Sequence, residues 1–511
     1  MNALAGLYDN PILWKHIRSR LRFQHLVPSL AVVLIICGCV LWGGYALGGL
    51  ENGGTYIVLL LIQWGVLVVM GTSQTATAVA FAKDSGILDF HRVSPLPASW
   101  VTMGFAVGAP VREYLMFACT LPFSFVPAVM GKPSVAGWGA VSVVLLLSAF
   151  LFHMLAVVVG LVSRKPRGAG GAVVGIAMLV HFIGMQSILG GASAPALMTV
   201  IPTVRQALEM IDLRDKVPGF FGMEMPLYVQ SFVHQLPILV FLYIAAVRKM
   251  RSDRAHAYSK IEAVAFVATI AVLALGEMWN TTLPRLLPAS INQWPVLVVV
   301  YTVTLAAVLL TLAVTPGASG YANGLRRAAK HGHRRLAPWS DLAPNTGAIF
   351  AFCLIMMTAA ALAQISVDVA GLRSRFFWCP TAAAMLVVAY FGFARQYFEV
   401  NFARRGQPFF LLFLFVVWLM PLIVGSILAM TGADQGALPV FALTPLVGIG
   451  ASAFDSRGGL ADEIQVSVLL SSLTFAVIFA ALSIASLRRA RQAIEVKAFP
   501  TDSLEIEPAS I

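Results

Sequence analysis

Charge is what this chain has least of. Only 11% of its residues are Asp, Glu, Lys or Arg, against 59% hydrophobic, and the mean hydropathy is +0.83. That composition excludes an ordinary soluble domain, in which about 25% of residues are charged. Cysteine is scarce as well. The five cysteines (Cys37, Cys39, Cys119, Cys353, Cys379) lie in or beside apolar runs and form no C-x-x-C pair. Their spacing argues against a metal or redox motif and suits small apolar packing residues. No G-x-x-x-x-G-K-[ST] phosphate loop occurs, and no polar block is large enough for a nucleotide domain. Energy for any transport must come from outside the chain. Residues 1–26 are polar and basic, with no A-x-A-like site after a short apolar core. The first apolar run is therefore expected to act as its own insertion signal.

What the chain does have is apolar runs of one length. A helix needs roughly 20 apolar residues to cross a hydrocarbon core of about 30 Å. Runs of that kind cover 27–47, 55–82, 112–131, 135–162, 170–191, 227–247, 261–278, 294–314, 347–367, 377–394, 408–430 and 465–487. The third is the least regular, because residues 101–109 are also apolar and Pro110, Arg112 and Glu113 interrupt them. The expectation is an all-α, polytopic membrane protein of about 12 helices, with both termini on one side.

The charges choose the side. Lys and Arg crowd the N-terminal arm (Lys15, Arg18, Arg20, Arg22) and then every second loop. Those loops hold Lys83 and Arg92; Arg164, Lys165 and Arg167; Arg248, Lys249, Arg251, Arg254 and Lys260. Further along come Arg326, Arg327, Lys330, Arg334 and Arg335; Arg395, Arg404 and Arg405; and the tail with Arg488, Arg489, Arg491 and Lys497. The intervening loops hold only Lys132, Arg205, Arg214, Lys216, Arg285, Arg373, Arg375 and Arg457. The positive-inside rule makes the rich face cytoplasmic. The +12 net charge thus follows from topology. It points to anionic inner-leaflet lipid rather than to nucleic acid.

The chain divides near residue 258 into two six-span halves, 27–258 and 259–487, followed by a cytoplasmic tail at 488–511. In each half a long outside segment, 192–226 or 431–464, follows the fifth span, and the sixth exits into a basic run. Six is even, so a duplicated half would keep its orientation. Both outside segments are apolar yet broken by Pro and Gly. They are expected to be re-entrant or interfacial, with their irregular backbone buried in protein.

Two features on the basic side carry the functional signal. The arm YDNPILWKHIRSRLRFQHL has Asn10 to cap a helix and Pro11 for its first turn. Leu13, Ile17 and Leu21 recur every four residues while Lys15, Arg18 and Arg22 point elsewhere, as in an amphipathic helix lying on a leaflet. The loop at 83–100 follows the second span. There Asp84 or Ser85 can cap a short helix carrying Ile87, Leu88, Phe90 and Val93, which Pro95 and Pro97 stop. Such a helix, tied to two spans, suits a handle for a partner protein; the residues alone fit an ordinary connecting turn as well.

Asn10, Pro11, Arg18, Arg20, Leu21 and Arg22 read N-P-x-x-x-x-x-x-R-x-R-L-R. Asp84, Gly86, Leu88, Asp89, Ser94, Pro95 and Leu96 read acidic-x-G-x-L-[D/E]-x-x-x-x-[S/T]-P-L. Together these resemble the permease subunits of ABC transporters of the type-2, exporter-like class. The resemblance implies an interfacial arm and a coupling helix at Asp84, Gly86, Ile87, Leu88, Asp89, Phe90, Ser94 and Pro95, seated on a separate ATP-binding subunit. It implies ATP and Mg on that partner and no cofactor or catalysis in this chain. It also implies a multi-pass location in the cell inner membrane. The first half carries the likeness, and the second carries it only in layout. Ala82-Lys83-Asp84 replaces the family's Glu-Arg-Glu-like run, and GLRRAAKHGHRRLAPWSDLAPN does not repeat G-x-L-[D/E]. Either the second half docks differently, or one half docks and a second permease subunit, a copy of this chain or another, completes the assembly.

Two other classes compete. An ion-coupled secondary transporter needs ionisable groups at membrane depth. The interior candidates are Arg112, Glu113, His153, His181, His234, Glu277 and Asp368, of which His153 and His181 best suit a proton relay. Arg112 and Glu113, being adjacent, read as a border elbow rather than an ion pair. A polytopic transferase needs an acidic cluster outside. Glu209, Asp212, Asp215, Glu224, Asp434, Asp455, Asp462 and Glu463 are there, but they fit no metal-ligand spacing.

Overall fold

The computed structural model describes residues 9–51, 53–163, 165–189, 194–210, 219–279, 294–333, 336–402, 405–431, 440, 443–452 and 460–498. Several residues named above lie outside these: Arg164, Asp212, Arg214, Asp215, Lys216, Arg285, Arg334, Arg335, Arg404, Asp434, Asp455 and Arg457. Among the described residues the structure is helical, with one isolated β-bridge between Phe220 and Met223. Twelve helices are long and apolar enough to cross a membrane. The protein is an all-α, multi-pass membrane protein. The chain forms two compact units, Met1–Ala257 and Tyr258–Ile511.

In the first unit α1 is Pro11–Arg20, α2 Phe23–Ala46 and α3 Gly54–Asp84. After the short α4 (Ile87–Val93) and α5 (Ala98–Gly108) come α6 (Val111–Met130), α7 (Val135–Val162), α8 (Pro166–Leu189), α9 (Ala194–Leu197), α10 (Ile201–Ala207) and α11 (Leu227–Arg251). Helices α2, α3, α6, α7, α8 and α11 are the spans. The irregular third run resolves physically. Residues 98–108 form a separate helix too short to cross, and the chain turns at Ala109 and Pro110 before α6 begins.

The core of this unit is built where α3, α6 and α7 meet, around Tyr56, Leu67, Phe117, Val144 and Phe152. Small residues set the approach of α3 and α7. A Cβ on Gly160 would stand 2.8 Å from the Ala76 carbonyl oxygen. Residues 65–71 of α3 are π-helical, a winding that shifts backbone carbonyls out of the usual register. His153 of α7 meets one of them, the Leu67 carbonyl, at 3.0 Å. The described part of the segment after α8 tucks inward, with Ala196, Leu197 and Val200 buried. The Gln235 amide of α11 donates to the Leu197 carbonyl at 2.9 Å.

The second unit contains α12 (Lys260–Met278), α13 (Trp294–Val314), α14 (Ala318–Lys330), α15 (Thr346–Val367), α16 (Arg375–Asn401), α17 (Gly406–Met430), α18 (Pro445–Ala451) and α19 (Leu460–Ala498). Ser259 and Glu262 close a capping box at the start of α12. Lys260 is fully buried there, its ammonium donating to the carbonyls of Ser340 (2.8 Å), Ala343 (2.5 Å) and Pro344 (2.9 Å). Phe398, Phe410, Phe413 and Phe479 stack between α16, α17 and α19.

Candidate functional site

The candidate site lies in the first unit, where α1, α4, α5 and the end of α11 meet. Asn10 caps α1, accepting from the amides of Ile12 (3.0 Å) and Leu13 (3.3 Å). Its amide group also donates to the Trp100 carbonyl of α5 at 2.7 Å. Gly104 and Gly108 let the two helices approach closely. A Cβ on Gly104 would lie 2.8 Å from Ile12, and one on Gly108 would lie 3.0 Å from His16.

The arm is therefore not simply laid on a leaflet. Its buried residues are Ile12 and Leu13, whereas Ile17 and Leu21 are only half-buried. The expected stripe of Leu13, Ile17 and Leu21 is displaced because α5, and not lipid, is the surface α1 packs on. Pro11, Arg18 and Arg22 are exposed. Arg20 turns inward and donates to Gln74 of α3 at 2.9 Å. Burial, with Arg112 nearby, lowers its pKa, and Glu113 acts in the opposite sense.

The loop after α3 departs from the expected capping. Asp84 is the last residue of α3, and the Ser85 hydroxyl donates back to the Phe81 carbonyl at 2.8 Å. Gly86, at φ +76°, takes the cap position of α4 without any side-chain hydrogen bond. The chain must reverse direction there, and only glycine enters the left-handed region at little cost. The helix ends at Ser94, before Pro95, as the proline spacing requires.

Within α4 the side chains divide sharply. Leu88 is 1% exposed and packs with Val101, Phe105 and Met250. It belongs to the unit's interior and cannot be a docking residue, because its neighbours on α5 and α11 already cover it. Ile87 is half-buried. Phe90 is 68% exposed and Val93 84%, and Asp89 lies beside them in solvent.

Three charged residues that the motif does not contain brace this helix. Arg92 donates to the carbonyls of Met250 (3.1 Å) and Lys249 (3.3 Å) and pairs with Asp89 at 2.6 Å. Lys83 donates to the Leu161 carbonyl at 2.6 Å and pairs with Asp253 at 3.2 Å. Burial alone would push the Asp253 carboxyl up. The hydrogen bond and charge of Lys83, with Lys249 and Arg92, instead hold it below its ordinary value. The ends of α3, α4, α7 and α11 are thus pinned together. Lys83 and Arg92 are visible in sequence as loop cations, but apart from Asp89 their partners lie 78 to 170 residues away.

The interior ionisable groups behave differently from one another. The His153 Nε2–H donates to Leu67, and Nδ1 accepts from the Tyr114 hydroxyl at 2.8 Å. The His181 Nδ1–H donates to Ala177 at 2.8 Å, and Nε2 accepts from Trp64 at 2.8 Å. Both rings are committed on both nitrogens. Arg112 and Glu113 do form an ion pair, at 2.8 Å, against the expectation from their adjacency. The long arginine folds back along the first turn of α6 to reach its neighbour. Glu113 is 1% exposed, and its Oε2 has no hydrogen-bond partner among the described residues. Outside, Glu209 pairs with Lys132 at 2.7 Å, and no His/Cys/Asp/Glu group among the described residues has a metal-holding arrangement.

The chain matches no protein-family model and has no significant match to a curated protein or to a solved structure.

Proposed function

We propose that the chain is the membrane-spanning permease of an ATP-driven transporter of the type-2 ABC class, with its basic face in the cytoplasm of a cell inner membrane. The observation that carries this reading is α4. It is a short helix held rigidly to the ends of α3, α5 and α11, yet it presents Asp89, Phe90 and Val93 to solvent. Exposed Phe and Val beside a carboxylate, on a braced support, suit a protein partner. The docking set is Asp89, Phe90 and Val93, with Ile87 at its edge. Gly86, Leu88, Ser94 and Pro95 shape the helix. The ATP-binding subunit seated there would bind ATP and Mg, and its closure would move α4 and, through the Arg92 and Lys83 braces, α3 and α11.

The test is a mild-detergent pull-down of the tagged chain from its native membrane, followed by mass spectrometry. A co-purifying soluble protein with a phosphate-binding loop, lost on Phe90→Asp with Val93→Asp, is the expected result. Recovery of the chain alone, even after crosslinking, would sink the reading. In that case the buried Glu113 carboxylate, with one oxygen unpartnered, favours ion coupling instead. Proton uptake abolished by Glu113→Gln in vesicles would then be the decisive result.

A further inference from the structure

Behind α4, between the start of α5 and the end of α11, lies a cavity of about 410 Å³. Leu96, Val101 and Val247 give it apolar walls. Its polar lining is His91, Arg92, Arg251 and Ser99, with no carboxylate. The two acids nearby are committed, Asp89 to Arg92 and Asp253 chiefly to Lys83. Arg92 spends its donors on Asp89 and on the Met250 and Lys249 carbonyls. Arg251 has no ion pair or side-chain hydrogen bond among the described residues. The Nδ1 atom of His91 is buried and has no partner among them either.

The remaining donors come from α5. Its first residues, Ala98 and Ser99, have amides without an intrahelical acceptor, and Pro97 before them offers no side-chain cap. Hence the exposed Arg251, Ser99 and the first residues of α5 line one cavity, and neither the Arg251 guanidinium nor the Ser99 hydroxyl has a hydrogen-bond partner among the described residues. That is donor chemistry for a phosphate. The position of the cavity at the end of a span narrows the source. Arg251 ends a membrane-spanning helix, and the last turn of such a helix lies among lipid headgroups. Apolar walls beside the cations suit acyl chains better than a free ion.

We propose that this cavity binds the phosphate of an anionic phospholipid from the leaflet on the basic face. Arg251 pairs with the phosphate, while Ser99 and the amides at the start of α5 donate to it. The lipid then sits directly behind the helix that Leu88 anchors, so leaflet composition bears on the position of α4. The site depends on none of the readings of what drives the chain.

The test uses the full chain in neutral detergent, titrated with short-chain phosphatidylglycerol, phosphatidylcholine or inorganic phosphate and read by native mass spectrometry. Phosphatidylglycerol is expected to bind saturably, about tenfold tighter than phosphatidylcholine. Arg251→Ala is expected to weaken it about fivefold. Ser99→Asp should abolish it, since a carboxylate enters the cavity, while an acid in the first turn favours the helix itself. Arg254→Ala, an exposed cation that does not line the cavity, should leave binding unchanged. Equal binding of the two lipids, or wild-type affinity in Ser99→Asp with an unchanged melting curve, would overturn the proposal. Inorganic phosphate competing at concentrations equal to those of the lipid would overturn the lipid assignment and leave a free-anion site.

Discussion

Leu88 and Phe90 are two residues apart, on the same short helix, and have opposite fates. Leu88 shares a buried cluster with Val101, Phe105 and Met250 and lines the cavity behind α4, so truncating it removes buried apolar contact and enlarges that cavity. Leu88→Ala is expected to cost roughly 2–5 kcal/mol. Phe90→Ala should leave the melting temperature in detergent nearly unchanged, and a comparison of the two melts checks both. His16 supplies a pH-dependent contact. It packs edge-on against Phe105 at 5.2 Å, and burial, then Arg20, then Lys15, lower its pKa from 6.5 to about 4. With the folded value lowered, the unfolded arm takes up the proton first as pH falls. The stability His16 contributes is whole above 6.5 and is lost as pH drops toward about 4. Hydrogen-exchange protection over residues 10–21, measured against the intrinsic rate at each pH, should therefore fall as pH drops across that window, and His16→Gln should flatten the response.

At the scale of elements, close approach is what ties the arm to the rest of the first unit. A Cβ on Gly104 would meet Ile12 at 2.8 Å and the capping Oδ1 of the Asn10 side chain at 3.0 Å, neither of which can yield without disturbing the cap. Gly104→Ala is expected to release α1 to protease while the spans stay protected. In the second unit Lys260 plays the pinning role. A cation at a helix N-terminus is disfavoured by about 0.3–1 kcal/mol. Charged hydrogen bonds to the carbonyls of Ser340, Ala343 and Pro344 contribute about 1.5–3 kcal/mol each and offset that term together with the cost of burying the ammonium. Lys260→Met should expose the segment 331–345 to limited proteolysis. That segment follows α14, which buries Tyr321 and Leu325 and leaves Arg326, Arg327 and Lys330 outside. The two loops that join a second span to a third are thus both held down, one by Arg92 and Lys83 and the other by Lys260. In the loop that lacks the G-x-L-[D/E] motif, Ser340, Ala343 and Pro344 are held by Lys260 all the same.

For the whole molecule, the distribution of basic residues makes a claim about sidedness that labelling can check. In a background with its five cysteines replaced, Lys15→Cys, Ser85→Cys and Lys330→Cys should react with an impermeant maleimide from one side only, and Lys132→Cys from the other. Labelling of Lys330→Cys from the side of Lys132 would break the expected topology. The number and ends of the spans were legible in the sequence because lipid imposes a length of apolar residues that no packing detail changes. Each apolar run has its helix, and most ends agree within a few residues, but α16 runs on to Asn401 and α19 to Ala498, well past the runs that ended at 394 and 487. Asn10, Pro11 and Pro95 were legible for a similar reason, since capping and proline geometry act on adjacent residues. The division of α4 into a buried Leu88 and an exposed Phe90 was not legible, nor was the inward turn of Arg20, nor the cavity beside Arg251. Each depends on what α5 and α11 bring to the spot from far along the chain, and both faces of a helix at a membrane border read as half-apolar. The sequence by itself determined how many times the chain crosses and where its charges gather, because those follow from solvent and local geometry. Only the tertiary structure decided which residues of the candidate site face inward, because burial is a property of neighbours that sequence spacing does not specify.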